Sequence, residues 1–219
     1  MFLNRSDAGK KLAKKLTGYK TKNPVVLAIP RGGVVIGYEV ASVLDCEFSV
    51  IVARKLGYLR NPEAAFGAVA EDGSVVLQPF SKKRLGKMEI ETVLKIEKEE
   101  IERRKKAYRG KRELPNLTNR VVILVDDGIA TGSTLMVAIE MCQKQKPKEL
   151  VVAAPVSGDG MKRKLSQKVD NVIILETPID FRAVSQVYEV FDQVGDNEVY
   201  KLFEMYRILR TLKKNLDYN

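Results

Sequence analysis

The sequence predicts an α/β fold in which helices flank a mostly parallel sheet of about five strands. Short apolar runs alternate with segments of helical periodicity along most of the chain. The run at 121–125 is VVILV, without polar alternation, which is typical of a parallel strand covered on both faces. Glycine-containing turns follow two of the runs and lead into helices. These features together favour a Rossmann-like sheet.

The predicted elements follow one another in order along the chain. The predicted strands cover 24–30, 48–53, 121–125, 150–156 and 172–175. The predicted helices cover 5–17, 34–44, 87–108, 134–143, 161–169, 184–191 and 196–212. Glycines and a proline break the pattern at 57–71, where we expect a mobile loop that leads into a hairpin formed by 65–70 and 75–78.

This order predicts a single domain over residues 1–219. Its core is expected at about 24–175 and a long helical insert at about 82–113. The C-terminal helices, at about 177–219, are expected to form a small hood with the other chain end. No apolar run approaches the length of a membrane span, and the charged N-terminus does not have the pattern of a signal peptide.

The amino-acid composition excludes some kinds of catalytic and metal site. The chain contains no histidine, which excludes histidine-based catalysis and histidine metal ligands. Cys46 and Cys142 lie within apolar segments, so we expect buried, reduced thiols and a cytoplasmic protein. The net charge of +10 fits a polyanionic substrate, a nucleic acid partner, or a lysine-rich proteome without special function.

The most informative stretch is 121–134, VVILVDDGIATGST. Asp126 and Asp127 follow the buried run, and carboxylates accept hydrogen bonds from hydroxyls or bind a hard cation. The Gly, Ser and Thr residues that follow offer N–H groups and hydroxyls at a helix start, which suits an anion. A sugar phosphate has both kinds of group; an ordinary strand-to-helix turn is the alternative. An ATP-binding Walker loop is excluded because Gly132 stands where that loop needs lysine.

This stretch resembles the phosphoribosyl pyrophosphate (PRPP) signature of the type I phosphoribosyltransferases, in which four apolar residues, two acidic residues and a short loop precede Thr-Gly and a final Ser or Thr. Its variant is most similar to that of adenine phosphoribosyltransferase. The strand and helix order over about 24–175 is also similar. The motifs RGG at 31–33, RKLG at 54–57 and YRG at 108–110 resemble a broad bacterial and archaeal group of phosphoribosyltransferase-domain proteins.

The resemblance implies a role for each part of the site. Asp126 and Asp127 would hold the ribose 2′- and 3′-hydroxyls, directly or through Mg²⁺, the implied cofactor. The 5′-phosphate would be bound by the loop residues Gly128, Ile129, Ala130, Thr131, Gly132, Ser133 and Thr134. Pyrophosphate would be bound by Arg31, Gly32 and Gly33, in a loop that often carries a strained or cis peptide, and by the basic pair Arg54 and Lys55. A plain strand-to-helix turn and a surface pair at a strand end are the alternatives. The implied partners are PRPP, a nitrogenous base and a second copy in a homodimer.

The acceptor side is less defined. Hypoxanthine-guanine enzymes have a catalytic aspartate before the loop threonine, where this chain has Ala130. The remaining candidates for the acid or base are Glu63 and Glu71. Phe181 and Val184 are candidates for a wall against the base, although these two residues could simply pack a C-terminal helix. A lid is expected at 57–71 or, as a second choice, at the basic segment that contains Arg103, Arg104 and Arg109, which could equally be solvated.

Three functions therefore stay open. The first is Mg²⁺-dependent transfer of the 5-phosphoribosyl group from PRPP to a nitrogen base, which makes the chain a pentosyltransferase of nucleotide metabolism. The second is a non-enzymatic PRPP sensor or nucleic-acid-binding regulator, which the net charge would suit. No zinc-finger spacing or RNA-binding aromatic signature is present, so we do not expect nucleic acid as a partner. The third is hydrolysis or phosphorolysis of a phosphoribosyl compound in the same pocket.

Overall fold

The computed structural model describes residues 1–79, 81 and 85–216, with the side chains of all these residues except Pro62, Glu63 and Lys214. The described helices are α1 (Arg5–Leu16), α2 (Gly32–Leu44), α3 (Lys87–Arg109), α4 (Ser133–Lys144), α5 (Met161–Ser166) and α6 (Asp196–Leu216). The described strands are β1 (Val25–Ala28), β2 (Glu47–Val50), β3 (Ala53–Tyr58), β4 (Asn61–Ala70), β5 (Val75–Leu77), β6 (Val121–Val125), β7 (Glu149–Val156) and β8 (Asn171–Glu176). Short 3₁₀ helices occupy Thr17–Lys22 and Val184–Val187.

A parallel five-stranded sheet forms the centre of the fold, in the order β2-β1-β6-β7-β8. The predicted parallel α/β architecture is thereby confirmed. Every residue of β1 and β6 is buried, as expected for strands covered on both faces. From β1 the chain continues outward to β2, whereas from β6 it continues to β7 on the other side. The pair β1–β6 is therefore the point where the strand order reverses, and ligands of open α/β sheets bind outside such a point.

Apolar residues cover the sheet on both faces. Val26 and Ala28 of β1 pack into a core that includes residues of α1, α2, α3 and α6. Val25 and Leu27, which alternate with them, pack into a second core that includes residues of α4 and α5. Because successive side chains of a strand point to opposite faces, each short strand stabilises both layers. The two layers fix the position of the loops at the carboxyl ends of β1 and β6.

The segment at 57–71 differs from its prediction. It is not a loop: β3, β4 and β5 form a separate antiparallel sheet, in which β4 pairs with β3 from Ala53 to Tyr58. The predicted hairpin pairing between 65–70 and 75–78 is confirmed, since Gly67, Ala68 and Val69 lie opposite Leu77, Val76 and Val75. Leu56 and Phe66 of this sheet are buried. The pairing of β3 with β4 shifts register on both sides of Gly57.

The predicted strand at 48–53 also needs correction. It divides into β2 and β3, with Ile51 and Val52 between them. Arg54 and Lys55 therefore belong to the antiparallel sheet and do not end a core strand. They still reach the same edge of the molecule, because the chain leaves β2 at the carboxyl end of the central sheet.

The two chain ends meet beside the sheet. Phe2 N donates to Val187 O at 2.7 Å, and Glu189 N donates to Phe2 O at 2.9 Å. The rings of Phe2 and Tyr188 lie with centroids 5.6 Å apart. Residues 184–192, here called the hood segment, thus lie against residues 2–5 next to the end of β6. Within the described part of the chain, no helix combines the length and apolarity of a membrane span.

Candidate active site

A cavity of about 590 Å³ lies at the carboxyl ends of β1 and β6. The central sheet contributes its floor, and the β3–β4 hairpin and α3 contribute walls. The polar residues that line it are Arg31, Arg54, Lys55, Tyr58, Glu97, Arg104, Asp126, Asp127 and Thr134. The structure therefore brings together side chains from the three stretches of sequence that were assigned to one site, and adds a fourth stretch from α3.

The acidic end of the cavity is formed by Asp126 and Asp127, directly after β6. Asp127 N donates to Asp126 Oδ1 at 2.9 Å, which keeps the two side chains at the strand end. Burial, together with the negative charge of Asp127, raises the pKa of Asp126 well above its usual value. A cation or hydroxyl donor placed against this pair would relieve both the desolvation and the repulsion.

These carboxylates fit the Mg²⁺ that the family resemblance implies, as part of a complex with substrate. Mg²⁺ in proteins is commonly held by one or two carboxylates, with water and substrate phosphate oxygens completing the octahedron. Among the described residues, no group of three or more acidic or cysteine side chains could hold a metal ion alone. Asp126 and Asp127 are thus two of the oxygen ligands that such a cation would need.

The loop after the acidic pair is anchored to the neighbouring strand. Ile129 N donates to Val156 O at 2.9 Å, and Gly158 N donates to Ile129 O at 3.2 Å. Gly132 precedes α4 with φ of 71°, a left-handed conformation that favours glycine, and none of the described side chains caps the helix. The first N–H groups of α4 are thus left uncapped by side chains at the loop. Of the seven predicted loop residues, Thr134 lines the cavity and Gly128–Ser133 lie beside it.

The turn after β1 packs tightly against the acidic pair. A Cβ atom added at Gly32 would collide with the Asp127 carboxylate, and one at Gly33 would lie 3.0 Å from Asp126 Cα. Both positions therefore need the small residue that the sequence provides. The peptide bond between Pro30 and Arg31 is cis. The Arg31 side chain lines the cavity, and its Nη1 lies 3.7 Å from Asp196 Oδ1.

Cations from two further elements line the same cavity. Arg54 and Lys55 line the cavity from β3, and Arg54 Nε donates to Glu97 Oε2 at 2.7 Å. Arg104 lines it from α3 and donates to Glu100 Oε1 at 2.7 Å. Glu97, which was not among the candidate site residues, also lies in the cavity wall. The signal in the sequence was helical spacing, because Val93, Glu97 and Arg104 fall on one face of α3.

The two predicted candidates for the acid or base have different outcomes. The side chain of Glu63 lies outside the described residues. Glu71 is buried and accepts hydrogen bonds from Arg109 Nη1 and Nη2, each at 2.9 Å. It is not among the described residues that line the cavity. The structure therefore places Glu71 in a buried ion pair and gives it no access to a ligand there; the same contacts show that Arg109 is not a solvated lid residue.

Phe181 and Val184 lie close to two glycines, Gly158 after β7 and Gly128 in the loop after β6. A Cβ atom added at Gly128 would collide with Val184, and one at Gly158 would lie 3.1 Å from the Phe181 ring. Neither residue lines the cavity described above. They are close to the loop that follows β6, so a wall for the acceptor at this position stays a prediction.

One residue at this site was missed in the sequence. Arg5, at the start of α1, donates from Nε to Asp127 Oδ2 at 2.7 Å. Nothing in the local pattern marks it, because it is one of several cations on an amphipathic helix. Only the meeting of the chain ends brings it to the acidic pair.

Comparison with known proteins identifies the family. The model of the family described as "Phosphoribosyl transferase domain" matches residues 3–191. The chain belongs to this family. The matched range of this phosphoribosyl transferase domain includes Arg5, the acidic pair and the hood segment up to residue 191, whereas α6 lies beyond it.

Individual relatives agree with the assignment. Two Mycobacterium tuberculosis proteins, from strains CDC 1551 / Oshkosh and H37Rv and provisionally named phosphoribosyl transferases, are each 38% identical over 201 residues, which is 91% of this chain and 45% of theirs. The chain thus spans about half the length of the curated relatives it matches. The crystal structure of TT1426 from Thermus thermophilus is 35% identical, with a TM-score of 0.79 over 94% of this chain and 99% of that one.

Proposed function

We propose that this chain binds PRPP together with Mg²⁺ and transfers the 5-phosphoribosyl group to a nitrogen base, with release of pyrophosphate. The observation that carries the proposal is the presence, in the lining of one cavity, of both the Asp126–Asp127 pair and cations from three other elements. A ribose with free hydroxyls suits the acidic end, and a pyrophosphate suits the basic end. The uncapped start of α4 offers N–H groups to the 5′-phosphate.

The reaction explains why such opposed charges would be useful. The bond between C1′ and the pyrophosphate oxygen breaks, and its electron pair leaves with pyrophosphate. Positive charge develops on the ribose, a base nitrogen forms the new bond to C1′, and that nitrogen loses its proton. Arg31, Arg54 and Lys55 would stabilise the leaving group, while Asp126 and Asp127 would hold the ribose beside it. Mg²⁺, held by the same carboxylates and by substrate oxygens, would add further charge neutralisation.

Phe181 and Val184 are proposed as a wall for the base because they lie against the loop that follows Asp127. Glu63 is kept as a candidate for the acid or base from the sequence alone. Glu71 is not carried forward, because both of its carboxylate oxygens accept hydrogen bonds from Arg109.

The direct test is an assay of the purified chain with PRPP, Mg²⁺ and a panel of purine, pyrimidine and other nitrogen bases. We expect pyrophosphate to be released only when the right base is present. Binding of PRPP by calorimetry without turnover on any base would favour a sensor. Release of pyrophosphate with formation of ribose 5-phosphate and no need for a base would favour a hydrolase.

A substitution at Gly132 tests the phosphate loop. Gly132→Val places a β-branched side chain at φ of 71° and directs its Cβ to 3.2 Å from Met161 Sδ, so we expect the loop to change shape. Loss of one charge-assisted hydrogen bond to phosphate is worth about 1.5–3 kcal/mol, so PRPP affinity should fall roughly 10- to 100-fold. Calorimetry with PRPP and Mg²⁺ measures this.

The control for this variant is Gly73→Val. Gly73 has φ of 84° in the β4–β5 turn, and an added Cβ there has no neighbour within 4 Å. Its substitution brings comparable backbone strain, about 1–3 kcal/mol, away from the loop. We expect lower thermal stability in both variants and weaker PRPP binding only in Gly132→Val. Equal PRPP affinities in the two variants would count against the loop assignment.

A further inference from the structure

Arg5 makes three contacts at the edge of the proposed ribose site. Its Nε donates to Asp127 Oδ2 at 2.7 Å, and its Nη1 donates to Asp192 O at 2.7 Å. The guanidinium carbon also lies 3.7 Å from the centroid of the Phe191 ring, a cation–π arrangement. Only 11% of the Arg5 side chain is exposed. Arg5 thus connects the acidic pair to the hood segment at 184–192.

Arg5 is held firmly by the helix that it begins. Asn4 caps α1 by accepting from Asp7 N at 3.0 Å, and Leu3 N donates back to Asp7 Oδ2 at 3.1 Å. The buried face of α1, which includes Ala8 and Leu12, packs into the core. The guanidinium therefore does not depend on a mobile terminus for its position.

Arg5 bonds Asp127 from outside the described lining of the cavity. Arg5 is not among the described residues that line the cavity, whereas Asp127 and Gly32 are. Gly32 packs against the ion pair: a Cβ atom added there would collide with the Asp127 carboxylate and lie 2.7 Å from Arg5 Nε. The absence of a side chain at position 32 thus leaves room for Arg5 to hold Asp127.

We infer that Arg5 is a positioning residue that holds the Asp127 carboxylate for the ribose of PRPP and couples it to the hood segment at 184–192. This inference rests on the proposed function. An alternative is that Arg5 competes with ligand for Asp127. The geometry favours positioning, because Arg5 bonds Asp127 from outside the cavity while two further contacts keep it there. Tyr188 supports the same coupling, since its Oη donates to Asp127 O at 2.6 Å.

A double-mutant cycle tests whether Arg5 acts through Asp127. The variants are Arg5→Ala, Asp127→Asn and their combination, and the measurement is PRPP affinity by calorimetry in the presence of Mg²⁺. We expect Arg5→Ala to weaken PRPP roughly 10- to 100-fold in the native background and less than about threefold in the Asp127→Asn background, because residues that act as a unit are not additive. Arg5→Lys keeps the charge and should restore part of the loss.

Two further measurements separate positioning from a merely structural role. Affinity for pyrophosphate with Mg²⁺, which lacks the ribose, should be unchanged in Arg5→Ala. The matched control is Arg120→Ala, which removes an arginine paired with Glu47 at the opposite, amino-terminal edge of the sheet. It should leave affinity for both ligands unchanged.

The outcomes that contradict the inference are distinct. Additive losses in the cycle, or tighter PRPP binding by Arg5→Ala, would overturn positioning by Arg5 and leave the proposed function in place. Failure of the native chain to bind PRPP at all would overturn both the proposed function and this inference with it.

Discussion

Replacement of Asp126 and Asp127 together by asparagine should weaken PRPP binding roughly 100- to 10,000-fold, because two charge-assisted hydrogen bonds of about 1.5–3 kcal/mol each are lost. Asparagine also lacks the charge that a hard cation needs. The fold should change little. The like charges that raise the pKa of Asp126 would be gone, which offsets the loss of the Arg5–Asp127 ion pair.

The measurement is calorimetry with PRPP and Mg²⁺, with the thermal midpoint recorded for each variant. A control for net charge is Asp45→Asn combined with Glu113→Gln, which removes two negative charges from outside the cavity. Asp45 has φ of 54°, a conformation that asparagine also adopts readily. The control should bind PRPP like the native chain. Unchanged affinity in the Asp126/Asp127 variant would end the assignment of this pair to the ribose.

The central sheet could be predicted because its signals are local. The residues at 121–125 are apolar without interruption, and all five are buried. The turns that follow β1 and β6 are marked by glycines that the tight packing requires, as the collision at Gly32 shows. Since parallel strands deliver their carboxyl ends to one edge, the order of elements alone was enough to bring Arg31 next to Asp126 and Asp127.

The second sheet and the basic wall could not be predicted in the same way. Glycines at 57 and 67 break the local pattern, but the pairing of β3 with β4 and the burial of Phe66 outweigh them. The place of Arg104 depends on how α3 lies across that sheet. The place of Arg5 depends on contact between residues 187 positions apart in the chain. Spacing along one segment contains no information about such contacts.

The buried pair of Arg109 and Glu71 is expected to produce the largest effect on stability. Their side chains are 2% and 4% exposed, and Arg109 Nη1 also donates to Val50 O at 3.2 Å. The pair joins the end of α3 to the ends of β2 and β4. Arg109→Met leaves the Glu71 carboxylate buried without its partner, so the free energy of unfolding should fall by about 3–5 kcal/mol at pH 7.5.

The loss should depend on pH. Burial raises the pKa of Glu71 above its usual value, although Arg109 opposes this shift. An acid with a raised folded-state pKa stabilises the fold below its unfolded-state pKa, and that contribution is lost as pH rises through the folded-state value. Without Arg109 the folded-state pKa of Glu71 rises further, so Glu71 binds its proton at a higher pH in the variant than in the native chain. Protonation removes the unpaired buried charge and should restore part of the lost stability. The deficit of Arg109→Met should therefore be smaller at pH 5.5 than at pH 7.5.

Denaturant unfolding at both pH values measures these changes. The matched variant combines Glu71→Met with Arg109→Met, because replacement of a whole buried ion pair by apolar side chains is often nearly neutral. We expect this double variant to recover most of the free energy of unfolding. Its difference in stability from the native chain should be the same at pH 5.5 and pH 7.5. The same double variant also tests the sequence-based role of Glu71 as acid or base. If it unfolds like the native chain but no longer releases pyrophosphate from PRPP with a base that the native chain uses, Glu71 takes part in the chemistry after all.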